Sequence, residues 1–158
     1  VRFTSTTPFR FKITGRTKSF INAFGEELIV ENAEQAISNT CRKTNAEIRE
    51  YTAAPIYMSD EDGGAHEWLI EFKRVPQDLN AFVHILDGEL KEINSDYEAK
   101  RTANLSLGMP IVRVAEEGLF DRWLKSQKKL GGQHKIPRLS NDRRIIEEVM
   151  GLSLKEFV

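Results

Sequence analysis

The feature that most constrains the fold is one long amphipathic helix placed directly after two β-rich segments. Apolar residues from Leu79 to Ile93 follow the i, i+3, i+4, i+7 spacing, which predicts a helix with one buried face. The two preceding segments, Glu47 to Met58 and Glu67 to Arg74, are rich in β-branched and aromatic residues and predict strands. The 59–64 loop joins them as a hairpin. A helix in this position packs its apolar face on the sheet.

A second helix is predicted before the hairpin. Asn32 can cap it, with Gln35 three residues further on. The residues predicted to form its buried face are Ala33, Ala36, Ile37 and Cys41. Cys41 is most simply a small core residue there and not a nucleophile.

More elements are predicted after the long helix. Ser95 with Glu98 forms a capping-box pattern that predicts a shorter helix ending near Asn104. Pro110 to Val114 predicts a strand. A helix with Leu119, Phe120, Trp123 and Leu124 on one face follows, and the last helix is predicted to be capped by Ser140 or Asn141.

The N-terminal region is predicted to be β-rich. Phe9 to Thr14 alternates apolar and polar residues, which indicates a half-buried strand, and two shorter strands, Ser19 to Ala23 and Glu27 to Val30, turn at Gly25. The element order predicts an α/β (α+β) fold: a mixed, largely antiparallel sheet with flanking helices, in a ferredoxin-like arrangement. We divide it into a hinge strand and β-hairpin region, 1–30, and a main domain, 31–158.

Composition excludes several classes of function. The 158 residues carry 23 Lys and Arg against 24 Asp and Glu, so no global field points to nucleic acid or to a membrane surface. The single cysteine favours a reducing compartment, and no apolar run reaches the ~18 residues that a membrane span needs. We therefore expect a cytoplasmic protein. The start at Val1, directly before a β-rich stretch, suggests an excised fragment.

Metal and nucleophile motifs are missing from the sequence. His66, His84 and His134 are scattered without a cysteine or histidine cluster, so no metal site is predicted and each is expected to be a hydrogen-bonded structural residue. The acidic 59–64 loop lacks the alternating ligands of a calcium-binding loop and is expected to be a solvated turn. No phosphate-binding loop or nucleophile elbow is present.

Two basic loops are the best candidates for chemistry. Ile13 to Lys18 contains a glycine turn with Arg16 beside it, and 131–138 places Lys135 and Arg138 after a diglycine. A mobile loop that carries a cation is suited to delivering positive charge to a phosphoryl group. By composition alone, the simpler interpretation is that both loops are solvated surface turns.

The same loops carry a resemblance to known enzymes. The run from Phe9 to Glu34 is similar to the hinge segment of adenylate-forming enzymes, through Gly15-Arg16, Lys18, Phe20-Ile21, Gly25-Glu26 and Glu34. Four later segments resemble the auxin-responsive acyl-acid amido synthetases, especially their bacterial members: Gly64 to Trp68, Ile93 to Arg101, Gly118 to Phe120 and Gln133 to Arg138.

This resemblance implies an ATP-dependent ligase. The whole enzyme would use ATP and Mg²⁺ to form an acyl-adenylate from a carboxylic acid, and an amine, typically of an amino acid, would then attack to give an amide. The chain would be its mobile C-terminal lid, inactive alone and without a cofactor of its own. Its partners would be its own N-terminal adenylation domain, which is absent from this chain, and the acid and amine substrates.

The resemblance also implies roles for individual residues. Arg16 matches the arginine that reaches the nucleotide, and Lys18 matches the hinge position. Lys135 matches the mobile-loop lysine that acts in adenylation, with Lys128 and Lys129 as alternatives. The loop that lines the active site in the second half-reaction corresponds to Asn22, Gly25 and Glu26.

Two other classes of function remain open. One is a ferredoxin-like regulatory or small-ligand-binding module without a catalytic role, and the other is a structural domain that docks to another chain. The positions of the two basic loops discriminate between them. A lid should present both loops on one side.

Overall fold

Two short hairpins come first in the chain. A computed structural model describes residues 2–6, 9–12, 19–57, 63–102, 106–127 and 135–154. Strand β1 (Arg2–Thr6) pairs antiparallel with β2 (Phe9–Lys12), and β3 (Phe20–Ile21) pairs antiparallel with β4 (Leu28–Ile29). The predicted strand at Phe9 and the predicted turn at Gly25 are confirmed. Gly25 has a φ of 86°, which glycine adopts without steric cost.

The main body is built on a three-stranded mixed sheet. Its strands are β5 (Glu47–Ile56), β6 (Ala65–Arg74) and β7 (Ile111–Ala115), in the order β5-β6-β7. The pair β5-β6 is antiparallel and the pair β6-β7 is parallel. The long connection that a parallel pair needs contains two helices between β6 and β7. The predicted mixed sheet with flanking helices is therefore confirmed.

Helices cover both faces of the sheet. On one face α1 (Val30–Thr44) and α2 (Leu79–Ile93) pack together, and α3 (Ser95–Arg101) follows α2. Their core cluster takes Trp68 and Ile70 from β6. On the other face α4 (Leu119–Ser126) and α5 (Arg144–Leu154) pack around Leu69. These residues alternate along β6 because successive strand side chains point to opposite faces.

The predicted apolar faces of the helices are confirmed, with one difference at the end of α1, where Thr40 is fully buried and the predicted Cys41 is only half-buried. The buried residues of α1 are Ala33, Ala36, Ile37 and Thr40. Cys41 is half-buried and packs against the same core, and burial raises the pKa of its thiol. A raised thiol pKa disfavours the nucleophilic thiolate.

The predicted cap of α1 is wrong. The helix begins at Val30, and its N-cap residue is Ile29. Asn32 therefore lies inside the first turn, where its Oδ1 accepts a hydrogen bond from the backbone N–H of Ile29 at 3.4 Å. The hairpin pairing of β4 continues directly into the helix, so the start is set by the strand and not by a polar cap.

The caps of two later helices also differ from the predictions. Helix α3 is capped by Asn94, not Ser95, because Asn94 Oδ1 accepts from the N–H of Tyr97 at 2.9 Å. The helix ends at Arg101, short of the predicted Asn104, which lies outside the described residues. Helix α5 begins at Arg144, whose N–H donates to Asp142 Oδ1 at 3.1 Å. Ser140 and Asn141 lie too early in the chain for this role.

Among the described residues, no helix has both the length and the apolar composition that crossing a bilayer requires.

Candidate functional site

The 135–138 segment is held along the free edge of β5. The N–H of Ala53 donates to the carbonyl of Arg138 at 2.9 Å, and the hydroxyl of Thr52 donates to the carbonyl of Pro137 at 2.8 Å. Ile136 is 3% exposed and packs in the cluster under α4 and α5. The segment is therefore anchored by its backbone and by one apolar side chain, while Lys135 is exposed.

Arg138 is fixed more tightly than Lys135. Its guanidinium carbon lies 4.6 Å from the centre of the Tyr51 ring, and its Nη1 donates to the Tyr51 carbonyl at 3.3 Å. The guanidinium also forms an ion pair with Glu50. Burial lowers the pKa of Arg138, while the negative charge of Glu34 opposes that shift. A cation stacked on an aromatic ring and paired with a carboxylate is a structural contact as well as a charge.

A cleft of about 430 Å³ opens beside this segment. The start of α1, Glu50 of β5 and Ser19, which follows the first basic loop, line this cleft. Three carboxylates and two cations face it, so the cleft is polar and of mixed charge. Its lining residues are Ser19, Val30, Glu31, Glu34, Glu50, Lys135, Ile136, Pro137 and Arg138.

Of the predicted cationic residues, Lys135 and Arg138 belong to the part of the chain that the structure describes. Lys135 lines the cleft together with Arg138, as their closeness in sequence predicts. Arg16 and Lys18 lie outside the described residues, as do Lys128 and Lys129.

The predicted second half-reaction loop lies elsewhere. None of Asn22, Gly25 and Glu26 lines the cleft. Asn22 is exposed and its N–H donates to Asn141 Oδ1 at 2.7 Å. Glu26 is fully buried, and its carboxylate points into the fold. The structure therefore places Lys135 and the 22–26 residues in two separate sites.

Glu26 has a partner that the sequence did not reveal. Its Oε1 lies 2.7 Å from Nε2 of His66, which is also fully buried. Burial opposes ionisation of Glu26, but the hydrogen bond and charge of His66 with the loop amides outweigh it, so the pKa of Glu26 lies below its ordinary value. The expectation that His66 is a hydrogen-bonded structural residue is confirmed. The same expectation is not met at His84, which is exposed on α2 without a hydrogen bond to any described residue, and His134 lies outside the described residues.

Two further buried carboxylates are engaged by arginine. Asp87 accepts from Arg101 at 2.6 and 3.0 Å and from the Tyr97 hydroxyl at 2.9 Å. Glu67 accepts from Arg113 at 3.0 Å and from Arg143 at 2.6 Å. Burial opposes the ionisation of both, yet these hydrogen bonds hold the pKa of each below its ordinary value.

Sequence periodicity missed these groups because a charged residue in a loop, strand or helix gives no local signal of the distant partner that it meets. Within the described parts of the chain, no group of acidic, histidine or cysteine side chains has the arrangement of a metal site.

The fold and the family agree with the motifs read from the sequence. A family model described as the GH3 family C-terminal domain matches residues 31–144. A solved structure of the GH3.15 acyl acid amido synthetase matches with a TM-score of 0.69 at 15% identity. That match covers 90% of this chain and 26% of the other.

A second structure, of AtGH3.15 acyl acid amido synthetase in complex with 2,4-DB, matches with the same TM-score, identity and coverage. No curated protein matches at a significant level. The chain thus spans about a quarter of the length of the solved proteins that share its fold. The family model covers well over half of the chain, and the chain therefore belongs to the GH3 family, to whose C-terminal domain it corresponds.

Proposed function

We propose that this chain is the mobile C-terminal lid of an ATP-dependent ligase that joins a carboxylic acid to an amine, such as that of an amino acid, through an acyl-adenylate. Family membership supports this proposal. The similar solved proteins are named acyl acid amido synthetases, and the chain spans 26% of their length. The remaining part of the enzyme would hold ATP, Mg²⁺ and most of both substrate pockets, so the lid alone is inactive.

The observation that carries the proposal is the composition of the cleft. Ser19, which follows Lys18 in the sequence, lines it together with Lys135. The first described residue after one basic loop and the first described residue of the other thus line the same cleft. This arrangement is the one expected of a lid that presents both loops on one side.

Lys135 is suited to the first half-reaction. Negative charge builds on the α-phosphoryl oxygens as the acid attacks ATP, and a positioned cation stabilises that transition state. Lys135 is exposed, whereas Arg138 is held by Glu50 and Tyr51. Anchoring of the neighbouring Ile136 fixes where the lysine projects.

The second half-reaction needs a different face of the lid. After pyrophosphate leaves, rotation about the hinge near Lys18 would withdraw Lys135 and bring the 22–26 loop to the acyl-adenylate. Nucleotide contact by Arg16 belongs to the same proposal. The protein would act in the cytoplasm.

The test separates the two half-reactions in the complete enzyme. Lys135→Ala should slow ATP–pyrophosphate exchange by about 10²–10³-fold, the loss typical of one preorganised partner of a developing oxyanion. Amide formation from preformed acyl-adenylate should change far less. Lys18→Pro should do the reverse, because proline fixes φ at the hinge. Lys125→Ala, an exposed lysine on α4, is the matched control.

If ATP–pyrophosphate exchange were unchanged in Lys135→Ala, Lys128 or Lys129 would be the candidate for the catalytic lysine. ATP–pyrophosphate exchange above background by this chain alone would contradict the proposal that it is a lid. If the complete protein bound a small ligand in the cleft but catalysed neither step, the regulatory alternative would replace the ligase.

A further inference from the structure

The loop between β3 and β4 is folded around the Glu26 carboxylate. Glu26 Oε2 accepts from the N–H of Phe24 at 2.7 Å, and Oε1 accepts from the N–H of Ala23 at 3.2 Å. A buried carboxylate is tolerated only when hydrogen bonds or charges compensate its lost hydration. The loop backbone provides that compensation, so the shape of the 22–27 loop and the position of the carboxylate determine each other.

His66 supplies the third contact and comes from a different element, β6. Its Nε2 lies 2.7 Å from Glu26 Oε1, and its Nδ1 is buried without a hydrogen-bond partner among the described residues. An ionised carboxylate only accepts hydrogen bonds, so Nε2 carries the proton that is donated. Within the described structure, Glu26 is the only hydrogen-bond partner of this ring. The pair therefore ties the loop to the sheet.

Other contacts hold the outside of the same loop. Asn94, at the junction of α2 and α3, donates from Nδ2 to the carbonyls of Glu26 at 2.9 Å and Glu27 at 3.4 Å. The side chain of Asn22 accepts from the N–H of Glu27 at 3.3 Å. A hairpin of two-residue strands is only marginally stable by itself. These bonds fix the conformation of the loop and its position against the junction of α2 and α3.

We propose that Glu26 and His66 are positioning residues that hold the 22–27 loop in the conformation used for amide formation. This inference rests on the proposed function, in which the loop faces the acyl-adenylate in the second half-reaction. Neither side chain reaches the substrate, because both are fully buried. They fix the backbone of Asn22 to Gly25, where Asn22 and Gly25 are exposed. Loss of Glu26 releases the loop amides, and loss of His66 frees the carboxylate to which those amides donate.

The kinetic test uses the complete enzyme with Glu26→Ala and His66→Ala. Single-turnover amide formation from preformed acyl-adenylate should slow by about 10²-fold, the cost of a misplacement near 1 Å, while pyrophosphate exchange stays unchanged. Glu26→Gln keeps one acceptor oxygen and should recover part of the rate. Because the two residues act through one contact, the double variant should be no slower than the slower single variant.

Matched controls are available for both positions. Glu92→Gln alters an exposed glutamate on α2, and His84→Ala removes an exposed histidine from the same helix. Both should leave the two half-reactions unchanged. An equal slowing of both half-reactions in His66→Ala, in proportion to lost thermal stability, would show a merely structural role and overturn the inference. If Glu26→Ala does not fold, Glu26→Gln and His66→Ala carry the test.

A second readout does not depend on catalysis. Hydrogen–deuterium exchange of the complete protein, followed on peptides covering residues 20–27, should be faster in His66→Ala than in the unaltered protein and unchanged in His84→Ala. Unaltered protection in His66→Ala would overturn the positioning role even if the ligase activity were established. Failure of the proposed function is seen separately, as an absence of pyrophosphate exchange in the unaltered enzyme.

Discussion

The 22–27 loop and the 135–138 segment are both short, irregular pieces beside the sheet, but they are held in opposite ways. The loop surrounds a fully buried carboxylate, and its backbone amides and His66 compensate the charge. The segment is anchored by buried Ile136 and by backbone hydrogen bonds to β5. Hydrogen bonds to a charge are directional, and they depend on the protonation state of the group. Apolar burial has no preferred direction and does not depend on protonation. The first arrangement specifies a conformation, and the second leaves Lys135 exposed.

This difference suggests a division of labour. A surface that must match a reacting group needs a defined backbone, which buried hydrogen bonds supply. A cation that approaches and withdraws needs only a firm base and an unencumbered side chain. Four expected outcomes test this comparison, beginning with the largest expected effect.

Acid should lower the stability of the domain more than the substitutions below, because four buried carboxylates with lowered pKa values act together: Glu26, Glu67, Asp87 and Glu89. A carboxyl group with a lowered folded pKa contributes stability that is complete above its unfolded value and is lost as pH falls through the folded value. The free energy of unfolding should therefore fall steeply below about pH 4. Urea unfolding followed by circular dichroism at pH 7 and at several acidic values measures it.

Acid should also separate the two regions locally. The amides of Ala23 and Phe24 donate to Glu26, whereas the amide of Ala53 donates to the carbonyl of Arg138. Once intrinsic exchange rates are corrected for, Ala23 and Phe24 should lose protection at a higher pH than Ala53. Simultaneous loss at all three amides would mean that the two regions are not held differently.

Ile136→Ala should cause the next largest loss of stability. Truncation of a fully buried isoleucine costs about 2–5 kcal/mol of unfolding free energy. The same change at Ile29, which is 42% exposed, is the control and should cost far less. Chemical denaturation measures both. If Ile136→Ala were as mild as Ile29→Ala, apolar burial would not be what anchors the segment that bears Lys135.

Gly64→Ala should cause the smallest loss of stability, less than acid or Ile136→Ala. An added Cβ would lie 2.2 Å from two atoms of the Phe24 ring, so the ring must leave its place beside His66. Overpacking of this kind costs about 1–3 kcal/mol. Gly63→Ala is the matched control, because its Cβ would meet nothing within 4 Å. Thermal unfolding compares the two variants. Equal melting temperatures would show that Phe24 is not seated tightly and that the loop is less constrained than its hydrogen bonds indicate.

The sequence by itself determined the order of the elements and the buried faces of the helices. The spacing from Leu79 to Ile93 predicts α2 to the residue, and the glycine between two apolar pairs predicts the turn at Gly25. These features are local, because helical periodicity and turn chemistry arise from backbone geometry within about four residues. The run from Phe9 to Glu34 and the four later segments likewise indicated the family, whose C-terminal domain model matches residues 31–144.

Only the tertiary structure decided which polar residues act. Asn94 and Ser95 both suit a cap, and in the structure it is the side chain of Asn94 that accepts from the N–H of Tyr97. Glu26 meets His66 across 40 residues, and Arg138 meets Tyr51 across 87. A carboxylate, an imidazole or a guanidinium has the same local signature whether it is solvated or buried. Its partner is chosen by the topology that brings distant strands and loops together, and no periodicity within either segment encodes that choice.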